Sequence, residues 1–191
     1  MAYSTINKPT DHFNTKLYTG NGGSTQAITG VGFQPDWIWI KSRSDTEQHT
    51  AWDAVRGGSK RLMPDATNAE YDNSSQGIQS FDSDGFTLGD NDQNNKSSQT
   101  CVAWNWLGAN GTSSNTDGDI TSSVSANTTA GFSICTFSKA ASTAETIGHG
   151  LSQAPDMYVV KSRTGAGGFD SWTVYHKSLG EGKYILLDTN A

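Results

Sequence analysis

The chain has 191 residues, with 21 glycines and a formal net charge of −6 from 13 Lys and Arg against 19 Asp and Glu. That acidic balance argues against a phosphate-backbone ligand, which needs clustered cations, and no apolar run approaches the ~20 residues of a membrane-spanning helix. Nucleic acid and membrane are not expected partners, and the wealth of Gly, Ser, Thr and Asn points to an all-β chain.

The opening Met1-Ala-Tyr-Ser-Thr-Ile-Asn-Lys-Pro9 lacks the charged and then apolar order of a secretory signal, which predicts a protein made and assembled in a cytoplasm. Phe13-Asn-Thr-Lys-Leu-Tyr18 alternates like a strand. After a small-residue loop, Trp37-Ile-Trp-Ile40 follows Pro35 as a continuous apolar run, the pattern of a central strand buried on both faces. Lys41 and Arg43 then emerge at the expected sheet rim, where Asp36, Asp53 or Asp156 are the expected ion-pair partners. A patch for an acidic partner is the alternative, since an exposed pair adds little stability. Trp52 stands in Ala-Trp-Asp-Ala-Val, an alternation that suits a core anchor between sheets.

Asp82-Ser-Asp-Gly85, with Asp90, Asn91 and Asp92 nearby, has the oxygen-rich look of a calcium loop, which makes Asp82 and Asp84 candidate metal ligands. The terminal bidentate Glu of such a loop is missing, and a β-turn before Phe86 accounts for the same residues. Alternation recurs in Gly85-Phe-Thr-Leu-Gly89 and in Val102-Ala-Trp-Asn-Trp106. Trp104 and Trp106 are the candidate carbohydrate platform, because flat indole faces stack on sugar rings; core packing is the competing reading for every tryptophan. Gly108-Ala-Asn-Gly-Thr-Ser-Ser-Asn-Thr-Asp-Gly118 is nearly free of apolar residues and reads as a linker or long surface loop.

The pattern then returns. Phe132-Ser-Ile-Cys-Thr-Phe137 repeats the first strand, and Met157-Tyr-Val-Val-Lys-Ser-Arg163 repeats Trp37-Ile-Trp-Ile-Lys-Ser-Arg43; Pro35 and Pro155, Lys41 and Lys161, and Trp52 and Trp172 all lie 120 residues apart. A period of this length marks a small domain or sheet layer, not a solenoid turn. The predicted organisation is a first β module over 1–109, a Gly/Ser/Asn linker over 110–119, and a second, incomplete copy over 120–191. Met157-Tyr-Val-Val160 should then hold the same central place as its counterpart. Trp37 and Trp39 become Met157 and Val159, keeping apolar character without the flat ring, as packing positions would, while Trp52 is kept as Trp172. Lys161 and Arg163 keep the rim charges. The second copy stops before any counterpart of Val102-Ala-Trp-Asn-Trp106, so its strands would lack partners; continuation of the polypeptide or completion by a neighbouring chain is expected. Turn signals at intervals of about ten residues fit a two-sheet sandwich.

Chemistry is sparse. Cys101 and Cys135 lack CxxC spacing and read as buried free thiols, and His12, His49, His149 and His176 are scattered singly. No nucleophile elbow, zinc-helix motif or convincing carboxylate pair is present, so neither enzymatic activity nor a cofactor is expected.

The opening through Phe13-Asn-Thr-Lys-Leu-Tyr-Thr-Gly-Asn-Gly22, Gly32-Phe-Gln-Pro-Asp-Trp-Ile-Trp-Ile-Lys41, Phe81-Asp-Ser-Asp-Gly-Phe-Thr-Leu-Gly89 and Val102-Ala-Trp-Asn-Trp106 together resemble a repeated β-module of uncharacterised tailed-bacteriophage proteins, common in marine phages including those of cyanobacteria. The resemblance spans nearly the whole chain and carries no catalytic or ligand-binding residue with it. It implies a virion structural protein made in the host cytoplasm, with a jelly-roll or concanavalin-like β-sandwich fold, in a tail fibre or other appendage involved in assembly or host-surface attachment. Other virion proteins and further copies of the chain, as a homo-oligomer, are the implied partners, and a host-surface glycan is a further one. A capsid decoration protein is the nearest alternative, and a carbohydrate-binding lectin-like module the next.

Overall fold

The computed structural model describes residues 6–139, 144–165 and 170–189. The first five residues of the opening motif and the last two of the chain lie outside the described residues. In chain order the strands are β1 (Phe13–Thr19), β2 (Gln26–Thr29), β3 (Trp37–Ser42), β4 (Thr50–Asp53), β5 (Lys60–Arg61), β6 (Tyr71–Asp72), β7 (Ile78–Asp82) and β8 (Gly85–Leu88). A four-residue helix, α1 (Asp92–Asn95), precedes β9 (Thr100–Trp106), β10 (Ser113–Asn115), β11 (Ser122–Asn127), β12 (Phe132–Phe137), β13 (Met157–Val160), β14 (Thr173–His176) and β15 (Ile185–Leu186). The protein is thus mostly β, and the ladders between these strands are antiparallel.

A four-stranded sheet, β1-β9-β3-β4, shares one core with a three-stranded sheet, β2-β8-β7. Period-two burial along β3 and β9 aims Ile38, Ile40, Cys101 and Ala103 inward. They meet Ile28, Ile78, Phe86 and Leu88 from the second sheet and Trp52 from β4, all buried. Two further sheets, β10-β11-β12 and β13-β14-β15, follow.

Two sequence expectations are corrected. β3 is interior to its sheet, flanked by β9 and β4, but it buries alternate residues rather than both faces. β13 departs further: it is an edge strand with β14 as its partner, and Met157, Tyr158, Val159 and Val160 are 54%, 48%, 40% and 42% exposed. An apolar run buried on both sides requires a strand at each edge and a layer over each face; β3 has both edges paired and one covered face, and β13 has one paired edge. The stretch read as a linker also holds β10, which pairs with β11 through Ser113–Asn115. Main-chain hydrogen bonds suffice to order a polar segment on a sheet edge, and β11 is likewise built mainly from Ser and Asn around a buried Val124.

Candidate functional site

The outer face of the four-stranded sheet carries an aromatic strip. β3 and β9 pair with Trp37 opposite Trp106 and Trp39 opposite Trp104, so alternation projects all four rings away from the core, each half-buried. Phe13 on β1 faces Trp106 with ring centroids 4.7 Å apart, and Phe132 of β12 stacks on Trp106 at 6.2 Å. Trp39 meets Trp104 edge-on at 6.2 Å and donates its indole N–H to His49 Nδ1 at 2.9 Å. Trp104 has only Thr15 as its register neighbour on β1, which leaves that end of the strip open. Trp52 and Trp172 lie elsewhere. Trp52 is fully buried in the core, and Trp172 is 4% exposed and donates its indole N–H to the Met63 carbonyl at 2.8 Å.

The rim cations do not take the expected carboxylates. Lys41 Nζ donates to the carbonyls of Ser42 and Asp45 at 2.9 and 3.3 Å, and Arg43 is exposed. Lys161 Nζ donates to the carbonyls of Thr67 and Asp170 at 3.1 and 2.6 Å. Arg163 makes a two-pronged pair with Glu70, at 2.9 Å through Nε and 2.8 Å through Nη2. Asp36 and Asp53 are buried, and Asp53 pairs with Arg56. Asp36 accepts the amides of Gly108 and Asn110 at 2.7 and 3.1 Å and the Ser125 hydroxyl at 3.3 Å. Burial nevertheless pushes its carboxyl above the ordinary range. Asp156 pairs instead with Lys177 at 2.6 Å.

Asp82 closes β7 and pairs with Gly85 across a hairpin turn that holds Asp84. Asp84 accepts the amides of Gly32 and Gly30 at 2.6 and 2.9 Å, and these donors hold its carboxyl below the usual range. Asp82 accepts the Thr87 hydroxyl at 2.8 Å, and Asn91 caps α1 by accepting the Gln93 amide at 2.9 Å. Among the described residues no group of three or more His, Cys, Asp or Glu gathers as a metal site. Both cysteines are free; burial raises each thiol.

A family described as a domain of unknown function (DUF7483) matches residues 8–191. The chain belongs to that family. No curated protein and no solved structure matches it.

Sequence reading missed the charged network that ties the DUF7483 chain together over long distance. Arg56 reaches Asp53 through Nε at 2.5 Å, and through Nη1 it reaches Glu70 at 2.8 Å and the Lys60 carbonyl at 3.1 Å. Glu70 then holds Arg163, so a chain of four charges runs from β4 to the segment after β13. Burial opposes the Glu70 charge, but the donors on Arg163 and Arg56 together hold its carboxyl below the ordinary value. The 120-residue offset places His176 at Arg56, so nothing in the repeat marked this residue. A recess of about 130 Å³ lies beside the network, between buried Trp52 and the Arg61 guanidinium, which sits 4.8 Å over the Tyr71 ring.

Proposed function

We propose that this DUF7483 chain is a bacteriophage virion structural protein, a module of a tail fibre or other appendage that serves assembly or host-surface attachment. In this reading its sheets form a jelly-roll or concanavalin-like sandwich whose unit recurs after 120 residues. One observation carries the proposal: the β13-β14-β15 sheet turns an apolar surface to solvent, with Met157, Tyr158, Tyr184 and Ile185 each 48–62% exposed. Soluble monomers rarely leave contiguous apolar surface or an apolar edge strand uncovered, which is the behaviour of an assembly component. The sequence resemblance supplies the kind of assembly. Other virion proteins and further copies of the chain are the partners. Cryo-electron microscopy of purified particles tests the proposal: density for the chain on tail or appendage is the expected result, density on the head would make it a decoration protein, and absence from particles together with a monomer by light scattering would refute it.

The aromatic strip favours a second reading, a lectin-like module for a host-surface glycan. Binding of labelled protein to host cells, competed by host polysaccharide and lost in Trp104→Ala with an unchanged fold, would establish it. Binding that ignores both would remove it.

A further inference from the structure

The β5–β6 hairpin carries its charges on two sides. Lys60 stands opposite Asp72 and Arg61 opposite Tyr71, and side chains alternate along a strand. Lys60 therefore holds the Asp72 carboxylate on one face, while Arg61 and Tyr71 share the other. There the guanidinium lies 4.8 Å over the Tyr71 ring, and its Nη1 donates to Gln93 Oε1 at 2.6 Å. These two contacts fix its plane. Its remaining edge is unused: Arg61 Nε is buried without a hydrogen-bond partner, and no ion pair among the described residues includes Arg61. Burial holds the guanidinium below its ordinary pKa.

A second buried donor borders the same place. Trp52 is fully buried, and its indole N–H also has no partner among the described residues. Trp52, Arg61, Tyr71, Asp72, Asn73 and Asn91 line one recess of about 130 Å³, room for more than a single water. Tyr71 and Asn73 are exposed, so the recess reaches the surface. A buried donor without an acceptor is costly. Two of them at one recess, one belonging to a cation, call for an acceptor with negative charge, and because Lys60 balances Asp72, the charge of Arg61 is left over. Arg163 shows what such an edge grips: its Nε and Nη2 hold the two oxygens of Glu70 at 2.9 and 2.8 Å, the fork-to-fork match of guanidinium and carboxylate.

We propose that this recess is a binding site for a small carboxylate, free or borne on an acidic sugar, held by the Nε–Nη2 edge of Arg61 with the Trp52 indole N–H as a further donor. The Tyr71 ring keeps the guanidinium plane in place, and the bond to Gln93 leaves the gripping edge turned away from α1. The site is distinct from the aromatic strip, since Trp52 pairs with Ile38 and faces the core side of the sheet. It depends on neither reading of the protein's function given above.

The probes are sodium acetate, sodium D-glucuronate, sodium chloride and uncharged D-glucose, each titrated against the full chain and followed by the NMR signals of the Trp52 indole N–H and the Arg61 Nε–H. Both signals should shift saturably with acetate and with glucuronate, in the millimolar range expected of ligands of few atoms, and stay in place with chloride and glucose. Equal affinity for the two carboxylates assigns the site to the carboxylate alone; glucuronate tighter by about threefold or more assigns it to an acidic sugar. Arg61→Lys keeps the charge but loses the fork, and should weaken acetate binding by about tenfold, with circular dichroism and urea midpoint showing the variant folded. The shifts in the unsubstituted chain give an answer that needs no variant. Unmoved signals, or shifts confined to other residues, overturn the site. Equal shifts with glucose or chloride overturn the carboxylate as its ligand, and undiminished binding by folded Arg61→Lys overturns the role of the guanidinium edge.

Discussion

Trp52 and Trp172 are both buried, yet they are held differently. The Trp52 indole nitrogen finds no hydrogen-bond partner among the described residues, whereas that of Trp172 donates to the Met63 carbonyl, 109 positions away. Replacing either by Ala should cost about 3–5 kcal/mol through lost burial and cavity formation, seen as lower urea midpoints. Trp172→Phe should cost about 0.5–1.5 kcal/mol more than Trp52→Phe, because only the former loses a buried hydrogen bond, the Met63 carbonyl keeping the Ala66 amide at 3.1 Å as its second donor; equal midpoints would show that the hydrogen bond contributes nothing. The apolar character of both sites was legible from strand alternation around them. The role of Asp84 was not, since its donors Gly30 and Gly32 are 54 and 52 positions distant and no local pattern announces them. Asp84→Ala should lower the urea midpoint, and a calcium chelator should leave it unchanged.

Elements were readable where side chains alternate and obscure where only the backbone pairs. β8 and β9 show in the sequence because Phe86, Leu88, Cys101 and Ala103 face one core. β10 and β11 do not, because serine and asparagine carry little pattern and their order comes from ladder hydrogen bonds. Gly85 shows how close those ladders lie. Its φ is +151°, and a Cβ built there would stand 2.0 Å from the Ile28 carbonyl oxygen of the paired β2. Gly85→Ala should therefore destabilise by at least about 1–3 kcal/mol through overpacking that backbone cannot relieve. Gly32, with φ +93° and nothing within 4 Å of such a Cβ, isolates the strain of the left-handed backbone alone. A smaller loss for Gly32→Ala than for Gly85→Ala, read from thermal unfolding, is the expected order.

At the scale of the whole molecule, early and late segments are joined by polar contacts that a repeat cannot predict, because a repeat compares the copies and says nothing of how they touch. Asp36 gathers Gly108, Asn110 and Ser125 at one junction; Glu70 joins Arg56 to Arg163 at the other. The Glu70 carboxyl is held lower in the folded chain than its ordinary value of 4.5. Its contribution is therefore complete above that pH and is lost as the pH falls through the lower folded value. Asp36 has the opposite sign: its raised carboxyl lowers stability as the pH climbs past its ordinary value of 3.8 toward the folded one. Glu70→Gln should cost about 1.5–3 kcal/mol at neutral pH, since charged hydrogen bonds to two arginines become neutral ones. The loss should shrink as the solution is acidified below 4.5, where the unfolded chain's glutamate takes up a proton, and vanish below the lower folded value, where the native glutamate does so too. Urea midpoints of both proteins across that range test the argument: curves that converge in acid support it, and curves that stay parallel would show that Glu70 does not hold the two halves together through its charge.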